Sequence, residues 1–406
     1  MSTLAVDHIG LLVTNDPELG DGPLGLVRDA ALVFDEDRVV GVEKAGTAAD
    51  TRVDVSGNCV MPGFVDSHTH LVFAGDRAQE FAARMAGGAY VPGGIWNTVT
   101  TTREASDAEL RALAVARRRE AVRAGITHLE VKSGYALDTT GEGRLCALAA
   151  EITDDATFLG AHLIPREYEN RADDYVELVC GEMLETCAPH VRWIDAFCEQ
   201  GAFDEDQTRA VLEAGRNAGL GMRLHANQLR LGPGVQLGVE LGAASVDHCT
   251  YLSDGDVEAL AGSSTVATLL PATDFSTRQP YPDARRLIDA GATVALATNT
   301  NPGSSNTTSM SFCIALAVRE LGMTAEEALH AATVGGAQAL RRTDIGTLAP
   351  GARADAVVLA APTYSHLIYR PGVPLVAATF CAGRMEWRDP ELLPVYGKSG
   401  PGSTSR

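Results

Sequence analysis

Features that mark several large protein classes are missing from this 406-residue chain. No apolar run approaches the roughly 20 residues that a membrane span needs, and the N-terminal stretch MSTLAVDHIG lacks a basic region followed by an apolar one. We therefore expect neither a signal peptide nor a membrane partner. Basic charge is also scarce, since the net charge is -20, and this argues against nucleic acid as a partner.

Cysteine pairs and phosphate-binding loops are missing as well. The eight cysteines are scattered and none forms a CxxC pair, so neither a zinc ribbon nor a disulfide framework is indicated. Reduced cysteines within apolar stretches are typical of a cytoplasmic protein. The chain contains no GxGxxG or GxxxxGKS motif, which disfavours an open sheet that binds nucleotides.

Eight short apolar runs follow residue 58, and segments with helical periodicity separate them. The runs are VMPGFVD (60–66), ITHLEV (126–131), TFLGAHL (157–163), WIDAFC (193–198), MRLHA (222–226), ASVDHC (244–249), TVATLL (265–270) and TVALAT (293–298). The clearest helical segments are residues 107–125, 204–219 and 282–291. Eight strand–helix repeats predict an α/β fold with a closed (β/α)8 TIM-like barrel, although an open doubly wound sheet gives the same alternation.

Short β segments punctuated by Gly, Pro and Asp flank the predicted barrel on both sides. We predict that residues 1–58 and 345–395 form one small composite β-sandwich domain, because both ends of a barrel can lie close together. Residues 59–344 are then the barrel. The polar tail, residues 396–406, is predicted to be disordered.

Histidines gather at the ends of the predicted strands. Five of the ten lie at the ends of four runs: His68, His70, His162, His225 and His248. The carboxyl ends of barrel strands meet at one mouth, so these side chains are expected to converge. An HxH pair alone arises often by chance, but five converging histidines outweigh a structural role for each. Three neutral imidazoles suit one divalent ion, Zn or Fe, which produces hydroxide near neutral pH.

The strand-end motifs also carry a family resemblance. The stretch MPGFVDSHTHLVFAG resembles the first barrel strand of the amidohydrolase superfamily. Within that superfamily the chain resembles the imidazolonepropionases, through HTHLVFAGDRAQEF, EVKSGYALD, TFLGAHLIPREY, DAFCEQGAF, RLHANQL, VDHCTYLS and NPGSS. The HxH motif is shared across the superfamily, whereas the combination of FAGDR, VKSGY, GAH and NPGSS is much narrower.

The resemblance implies an activity and a set of site residues. The activity is hydrolysis of the cyclic amide 4-imidazolone-5-propanoate to N-formimidoyl-L-glutamate in histidine degradation, by a mononuclear enzyme that forms a homodimer. The implied metal ligands are His68, His70 and His225, with position 299 as the fourth. His248 and Asn299 are the implied catalytic positions. The implied substrate-binding residues are Arg77, Tyr90, Tyr135, His162, Gln228, Asn301, Gly303 and Ser304.

The residue types suit that chemistry. Arg77 is able to bind a propanoate group in bidentate fashion, and His248 is able to polarise the ring carbonyl or stabilise an oxyanion. A helix-surface ion pair with Glu80 is the alternative role for Arg77. Lys132 is interpreted as a charged structural residue and Glu199 as a supporting residue behind the site.

Position 299 departs from the family pattern. The family has Asp in a D-x-N-P-G motif, and this chain has Asn299 followed by Thr300, Asn301 and Pro302; the family's HAD also reads HAN here, with Asn227. An amide oxygen is a weak metal ligand and does not accept a proton at neutral pH. Three alternatives stay open: an active imidazolonepropionase, a hydrolase of another cyclic amide, and a non-catalytic homologue that binds ligand or metal.

Overall fold

The computed structural model describes residues 3–87 and 94–393. The described residues form two compact units. One contains the residues up to Gly63 and those from Thr347 onward, and the other runs from Phe64 to Gly346. Tyr90 and the tail from residue 396 onward lie outside the described residues.

Seventeen strands are present in the described part of the chain. They are β1 (Thr3–Val13), β2 (Leu26–Asp35), β3 (Arg38–Lys44), β4 (Thr51–Asp54), β5 (Cys59–Pro62), β6 (Phe64–Asp66), β7 (Ile126–Leu129), β8 (Val131–Lys132), β9 (Ala156–Ala161), β10 (Trp193–Cys198), β11 (Gly221–Ala226), β12 (Ser245–His248), β13 (Val266–Leu269), β14 (Val294–Leu296), β15 (Ala356–Leu359), β16 (Val376–Cys381) and β17 (Arg384–Arg388).

The same described residues contain fifteen α-helices. They are α1 (Ala78–Met85), α2 (Ile95–Glu104), α3 (Asp107–Arg123), α4 (Thr139–Ala150), α5 (Ala172–Leu178), α6 (Leu184–Cys187), α7 (Glu205–Asn217), α8 (Gly234–Leu241), α9 (Asp254–Ala261), α10 (Pro271–Thr277), α11 (Ala284–Asp289), α12 (Met310–Glu320), α13 (Ala325–His330), α14 (Gly336–Ala339) and α15 (His366–Tyr369). Two π-helical segments, Val179–Met183 and Ala331–Gly335, join α5 to α6 and α13 to α14. None of the described helices is both long and apolar enough to cross a membrane.

The first unit is built on one eight-stranded sheet. Its strand order is β17-β16-β15-β5-β1-β2-β3, and β4 pairs with β1. The C-terminal strands lie on one side of β5 and the N-terminal strands on the other, and they share one apolar cluster that includes Leu12, Phe34, Val60 and Phe380. The two ends of the chain thus form one domain as predicted, but its strands make one continuous sheet and not the two sheets of a sandwich, because β5 joins the N-terminal strands to the C-terminal ones.

The second unit is the predicted barrel. Seven parallel strands run in the order β8 to β14, and β6 pairs in parallel with β7. The residues after β6 close the ring against the residues after β14, since the N–H of Asn299 donates to the His68 carbonyl at 3.0 Å and the N–H of His70 donates to the Thr300 carbonyl at 2.9 Å. Closure thus places position 299 beside the HxH motif, 3 residues past the end of β14.

The first apolar run is divided between the two units. Cys59–Pro62 pairs with β1 and β15 in the first unit, whereas Phe64–Asp66 pairs with β7 in the barrel. Gly63 separates the two strands, and the pattern VMPGFVD predicted one strand because both halves are fully buried. The helices predicted over 107–125, 204–219 and 282–291 are α3, α7 and α11, each a few residues shorter.

Candidate active site

Three histidines form a cluster with metal-binding geometry. One ring nitrogen from each of His68, His70 and His225 lies within 4.8 Å of the others, and the Nε2 atoms of His68 and His70 are 3.3 Å apart. All three rings are buried. Three imidazole nitrogens that lie this close together are arranged as the ligands of one cation.

Carboxylates behind two of these histidines fix which nitrogen faces the cluster. The Nδ1 atom of His68 lies 2.7 Å from Asp247, and the Nδ1 atom of His225 lies 3.1 Å from Asp195. Each Nδ1 therefore carries the proton that it donates, which leaves Nε2 with a lone pair for a metal. This is the usual arrangement of a carboxylate, a histidine and a metal.

Lys132 connects the two carboxylates. Its Nζ lies 2.8 Å from Asp195, 2.8 Å from Glu130 and 3.7 Å from Asp247, and its side chain is fully buried. Arg223 adds a second buried cation, 3.3 Å from Asp247. Burial opposes ionisation of Asp247, but Arg223 and Lys132 outweigh it and hold the pKa of this carboxyl below its usual value. Lys132 is thus part of the support for the metal ligands.

Two of the clustered imidazoles, those of His68 and His70, are held neutral. Burial, together with the charge of Lys132 and the neighbouring His225, holds the pKa of His68 well below its usual value. Burial and the adjacent rings of His68 and His162 do the same to the pKa of His70. Neutral rings keep the lone pairs that metal coordination requires.

A cavity that is open to solvent lies over the cluster. It brings together most of the predicted site residues, from six separate segments of the barrel. Its lining comprises His70, Arg77, Ile95, Tyr135, His162, Leu163, Phe197, His225, Gln228, Leu229, His248, Asn299, Asn301, Gly303 and Ser304. The predicted ligand His68 belongs to the cluster but is not among the residues that line the cavity.

Arg77 lines the cavity and also forms the ion pair that was its alternative role. Its Nε and Nη2 atoms donate to the two carboxylate oxygens of Glu80 at 2.8 and 2.6 Å. Arg77 is only 8% exposed, so this is not a surface pair. Gly303 makes room for it, because a Cβ at that position would lie 2.3 Å from Arg77 Nη1. The ion pair fixes the guanidinium at the cavity wall.

His162 and His248 are two further neutral imidazoles in the cavity. The Nδ1 atom of His162 donates to the Gly134 carbonyl at 2.9 Å, which leaves its Nε2 as an acceptor. Burial and the neighbouring His225 lower the pKa of His162 to about 4. Burial also holds the pKa of His248 well below its usual value, and its buried Nδ1 has no hydrogen-bond partner among the described residues.

Asn301 organises the loop after β14 with its own side chain. Its Oδ1 accepts from the N–H groups of Gly303 and Ser304 at 2.8 and 2.9 Å. Its Nδ2 donates to the Asn299 carbonyl at 2.7 Å and to the Ser304 hydroxyl at 2.9 Å. The side chain therefore holds the NPGS turn against the cavity, a role that the sequence pattern did not distinguish from direct substrate contact.

Asn299 is held from several sides with its oxygen unpaired. Asp66 accepts hydrogen bonds from the preceding Thr298, through the backbone N–H at 3.0 Å and the hydroxyl at 2.6 Å. The Nδ2 of Asn299 donates to the Thr273 hydroxyl at 2.8 Å. The Oδ1 is buried and has no hydrogen-bond partner among the described residues. Such an orphaned oxygen at the cavity wall suits a fourth metal ligand.

Comparison with known proteins places these motifs in a family. The sequence model of the amidohydrolase family matches residues 59–385. The chain is 64% identical over 380 residues to an imidazolonepropionase of Salinispora arenicola, covering 93% of this chain and 97% of the relative. It is 60% identical over 394 residues to one of Mycolicibacterium smegmatis, covering 97% and 100%. The chain belongs to the imidazolonepropionase family of amidohydrolases.

Solved structures support the fold over nearly the whole chain. Triazine hydrolase from an Arthrobacter species has a TM-score of 0.72 at 17% identity and covers 95% of this chain and 94% of its own. Guanine deaminase from C. acetobutylicum has a TM-score of 0.71 at 12% identity, covering 95% and 99%. At these identities the likeness concerns the fold, and it confirms the predicted α/β barrel with an extra sheet domain.

Several residues of this imidazolonepropionase-family site carry no sequence signal of their own. Asp195 lies inside an apolar run and Thr273 lies in a helix, so neither stands at a strand end.

Glu199 supports the neighbouring loop, because its two oxygens accept from the N–H groups of Gln200 and Leu229 at 3.0 and 2.9 Å. This geometry agrees with the predicted supporting role of Glu199.

A buried carboxyl in α10 predicts a pH-dependent stability. Asp274 is 2% exposed; one oxygen accepts from the Thr250 hydroxyl at 3.0 Å, and the other has no partner among the described residues. Burial raises the pKa of Asp274 to about 7. Between pH 4 and pH 7 the folded chain therefore binds a proton that the unfolded chain releases, so this group lowers stability as pH rises.

Asp274→Asn is expected to remove that pH dependence. The stability of the variant relative to the unaltered chain should grow by about 2 kcal/mol from pH 5 to pH 8. The unaltered chain loses stability over this range because its buried Asp274 carboxyl has a raised pKa, whereas an asparagine does not titrate. Urea unfolding at a series of pH values measures the difference, and Asp206→Asn at an exposed position of α7 is the control. A difference that stays constant over this range would contradict the predicted effect.

Proposed function

We propose that this chain hydrolyses 4-imidazolone-5-propanoate to N-formimidoyl-L-glutamate, a step of histidine degradation. The observation that carries the proposal is one cavity that joins a three-histidine metal cluster to a buried arginine. Relatives at 60–64% identity named imidazolonepropionase support the same substrate. They lend no support to another cyclic amide or to a non-catalytic role.

Different residues of the cavity are proposed to bind the propanoate group and the ring of the substrate. Arg77, fixed by Glu80, offers a guanidinium to the propanoate group. Tyr135 and Gln228 flank the ring position, and the turn held by Asn301 presents Gly303 and Ser304 beside Arg77. Tyr90, predicted to contact substrate, lies outside the described residues. This arrangement sets the ring carbonyl next to the histidine cluster.

His68, His70 and His225 would hold the ion, with the amide oxygen of Asn299 as a fourth ligand. When bound there, a divalent ion would supply Lewis acidity that makes water acidic enough to act as hydroxide near neutral pH. In the overall reaction water oxygen bonds to the carbonyl carbon, the ring C–N bond breaks, and the leaving nitrogen takes a proton.

Neutral imidazoles take the place of the missing carboxylate in moving that proton. The Nε2 of His162 is an acceptor because its Nδ1–H is committed to Gly134. The Nδ1 of His248 is buried without a partner among the described residues, and a neutral ring offers one donor and one acceptor. We assign proton acceptance to these two residues and carbonyl polarisation to His248.

The remaining assignments follow from composition and family. We propose that one Zn or Fe ion is bound, since three imidazoles suit either metal. Eight free cysteines fit a reducing cytoplasm, and the family implies a homodimer. The net charge of -20 gives no basic surface for nucleic acid.

Metal removal tests the proposed function. Chelator treatment is expected to stop the turnover of 4-imidazolone-5-propanoate, and one equivalent of Zn²⁺ or Fe²⁺ per chain should restore it, with N-formimidoyl-L-glutamate identified by mass spectrometry. His225→Ala, which removes one ligand, should stay inactive after metal is added. Turnover that survives in the chelated chain or in the His225→Ala variant would overturn the metal-dependent mechanism.

A further inference from the structure

The amide of Asn299 raises a question of orientation that a carboxylate does not. An asparagine has one oxygen and one NH2 group, and only the oxygen binds a cation. Rotating the amide by half a turn would aim two N–H donors at the metal and would lose the ligand. Some neighbour must therefore select the orientation in which the oxygen faces the three histidines.

Thr273 is the side chain that contacts this amide. It lies at the third position of α10, directly after β13, and is 1% exposed. Its hydroxyl accepts from Asn299 Nδ2 at 2.8 Å. The backbone of Asn299 is fixed independently, because its N–H donates to the His68 carbonyl at 3.0 Å and its carbonyl accepts from Asn301 at 2.7 Å. Thr273 thus acts on the amide group alone.

We propose that Thr273 is a positioning residue that turns the amide oxygen of Asn299 towards the metal by binding the amide nitrogen. While the amide nitrogen binds Thr273, the buried Oδ1 of Asn299 has no hydrogen-bond partner among the described residues and is available to a metal. This inference rests on the proposed function, in which Asn299 is the fourth ligand. It assigns a role to Thr273 that is needed only because the side chain at position 299 is an amide, whose orientation matters.

The chain offers matched variants for a test. Thr273→Val keeps the side-chain shape and removes the hydroxyl, and Thr273→Ser keeps the hydroxyl. Thr268→Val is the control, because the buried Thr268 hydroxyl in β13 has no partner among the described residues. Removing an unpaired hydroxyl is close to neutral. Zn²⁺ affinity, measured by competition with a chromophoric chelator, gives a readout that is independent of activity, and thermal melting checks that each variant folds.

Thr273→Val is expected to weaken Zn²⁺ binding by about 10- to 100-fold, the usual effect of losing a residue that orients a ligand. Thr273→Ser and Thr268→Val should stay within about 3-fold of the unaltered chain. The decisive comparison is Thr273→Val in the Asn299→Asp background. Both terminal atoms of the aspartate are oxygens, so no orientation needs to be selected and the loss should shrink to about 3-fold or less.

Two results would overturn this inference alone. One is an unchanged Zn²⁺ affinity in Thr273→Val, and the other is an equal loss in both backgrounds, which would indicate general packing. A chain that binds no Zn²⁺ at all would overturn the metal site and this inference together. A chain that binds Zn²⁺ with the expected pattern but does not hydrolyse the substrate would leave Thr273 in its role and refute the proposed function alone.

Discussion

Lys132→Met is expected to destabilise the barrel by about 3–5 kcal/mol, the usual cost of removing one partner from a buried ion network. Asp195 and Glu130 each lie 2.8 Å from the Lys132 Nζ, and Asp247 lies 3.7 Å away. Without the lysine, Arg223 is the one Lys or Arg of the described residues that still pairs with this group, through Glu130 and Asp247. Their mutual repulsion and lost hydrogen bonds then act against the folded state.

The same variant is expected to weaken Zn²⁺ binding, because Asp247 and Asp195 orient His68 and His225. Urea unfolding measures the stability, and chelator competition measures the affinity under conditions where the variant stays folded. Lys44→Met makes the same chemical change at an exposed position of β3 and should shift stability by no more than about 0.5 kcal/mol. Equal unfolding midpoints for the two variants would show that Lys132 does not support the site.

A structural role for Lys132 was predicted from the sequence, but not the residues that it contacts. The resemblance to a mononuclear family implied a structural role for Lys132, but nothing in the motif EVKSGY indicates which acids it contacts. Glu130 lies two residues away, whereas Asp195 is 63 residues further along the chain. Such pairings depend on barrel closure, which brings together residues that no local pattern connects.

The barrel and the convergence of the histidines were predicted from sequence more directly. Alternation of apolar runs and helical segments predicted the barrel, because strand period and helix period are local properties. The five histidines were predicted to converge because parallel strands share one carboxyl edge, and four of them line the cavity while His68 lies behind it. The division of VMPGFVD at Gly63 was missed, since two buried strands in different sheets look alike in sequence.

Asn299→Asp is expected to raise kcat per bound metal by about 10- to 100-fold. A carboxylate at this position both ligates the ion and accepts a proton, and general-base help is typically worth about 10²–10⁴-fold. Part of that gain is offset, because a neutral ligand leaves the ion more positive and its water more acidic. The expected gain is therefore smaller than the full contribution of a general base.

Steady-state kinetics on chains of known metal content measure this effect, since the added charge also tightens metal binding. Asn227→Asp is the control. The Asn227 side chain donates to the Tyr251 carbonyl at 2.8 Å and is not among the residues that line the cavity, so a carboxylate there should give no gain. A kcat in Asn299→Asp equal to or below that of the unaltered chain would show that the imidazoles suffice for proton transfer.

We expect this chain to be an active hydrolase although an asparagine stands at position 299. The most direct measurement is the turnover of 4-imidazolone-5-propanoate per bound metal by the unaltered chain, with the product identified. We expect metal-dependent formation of N-formimidoyl-L-glutamate, which His225→Ala should abolish. An unaltered chain that holds its metal and forms no product, under conditions where Asn299→Asp does form it, would contradict the claim.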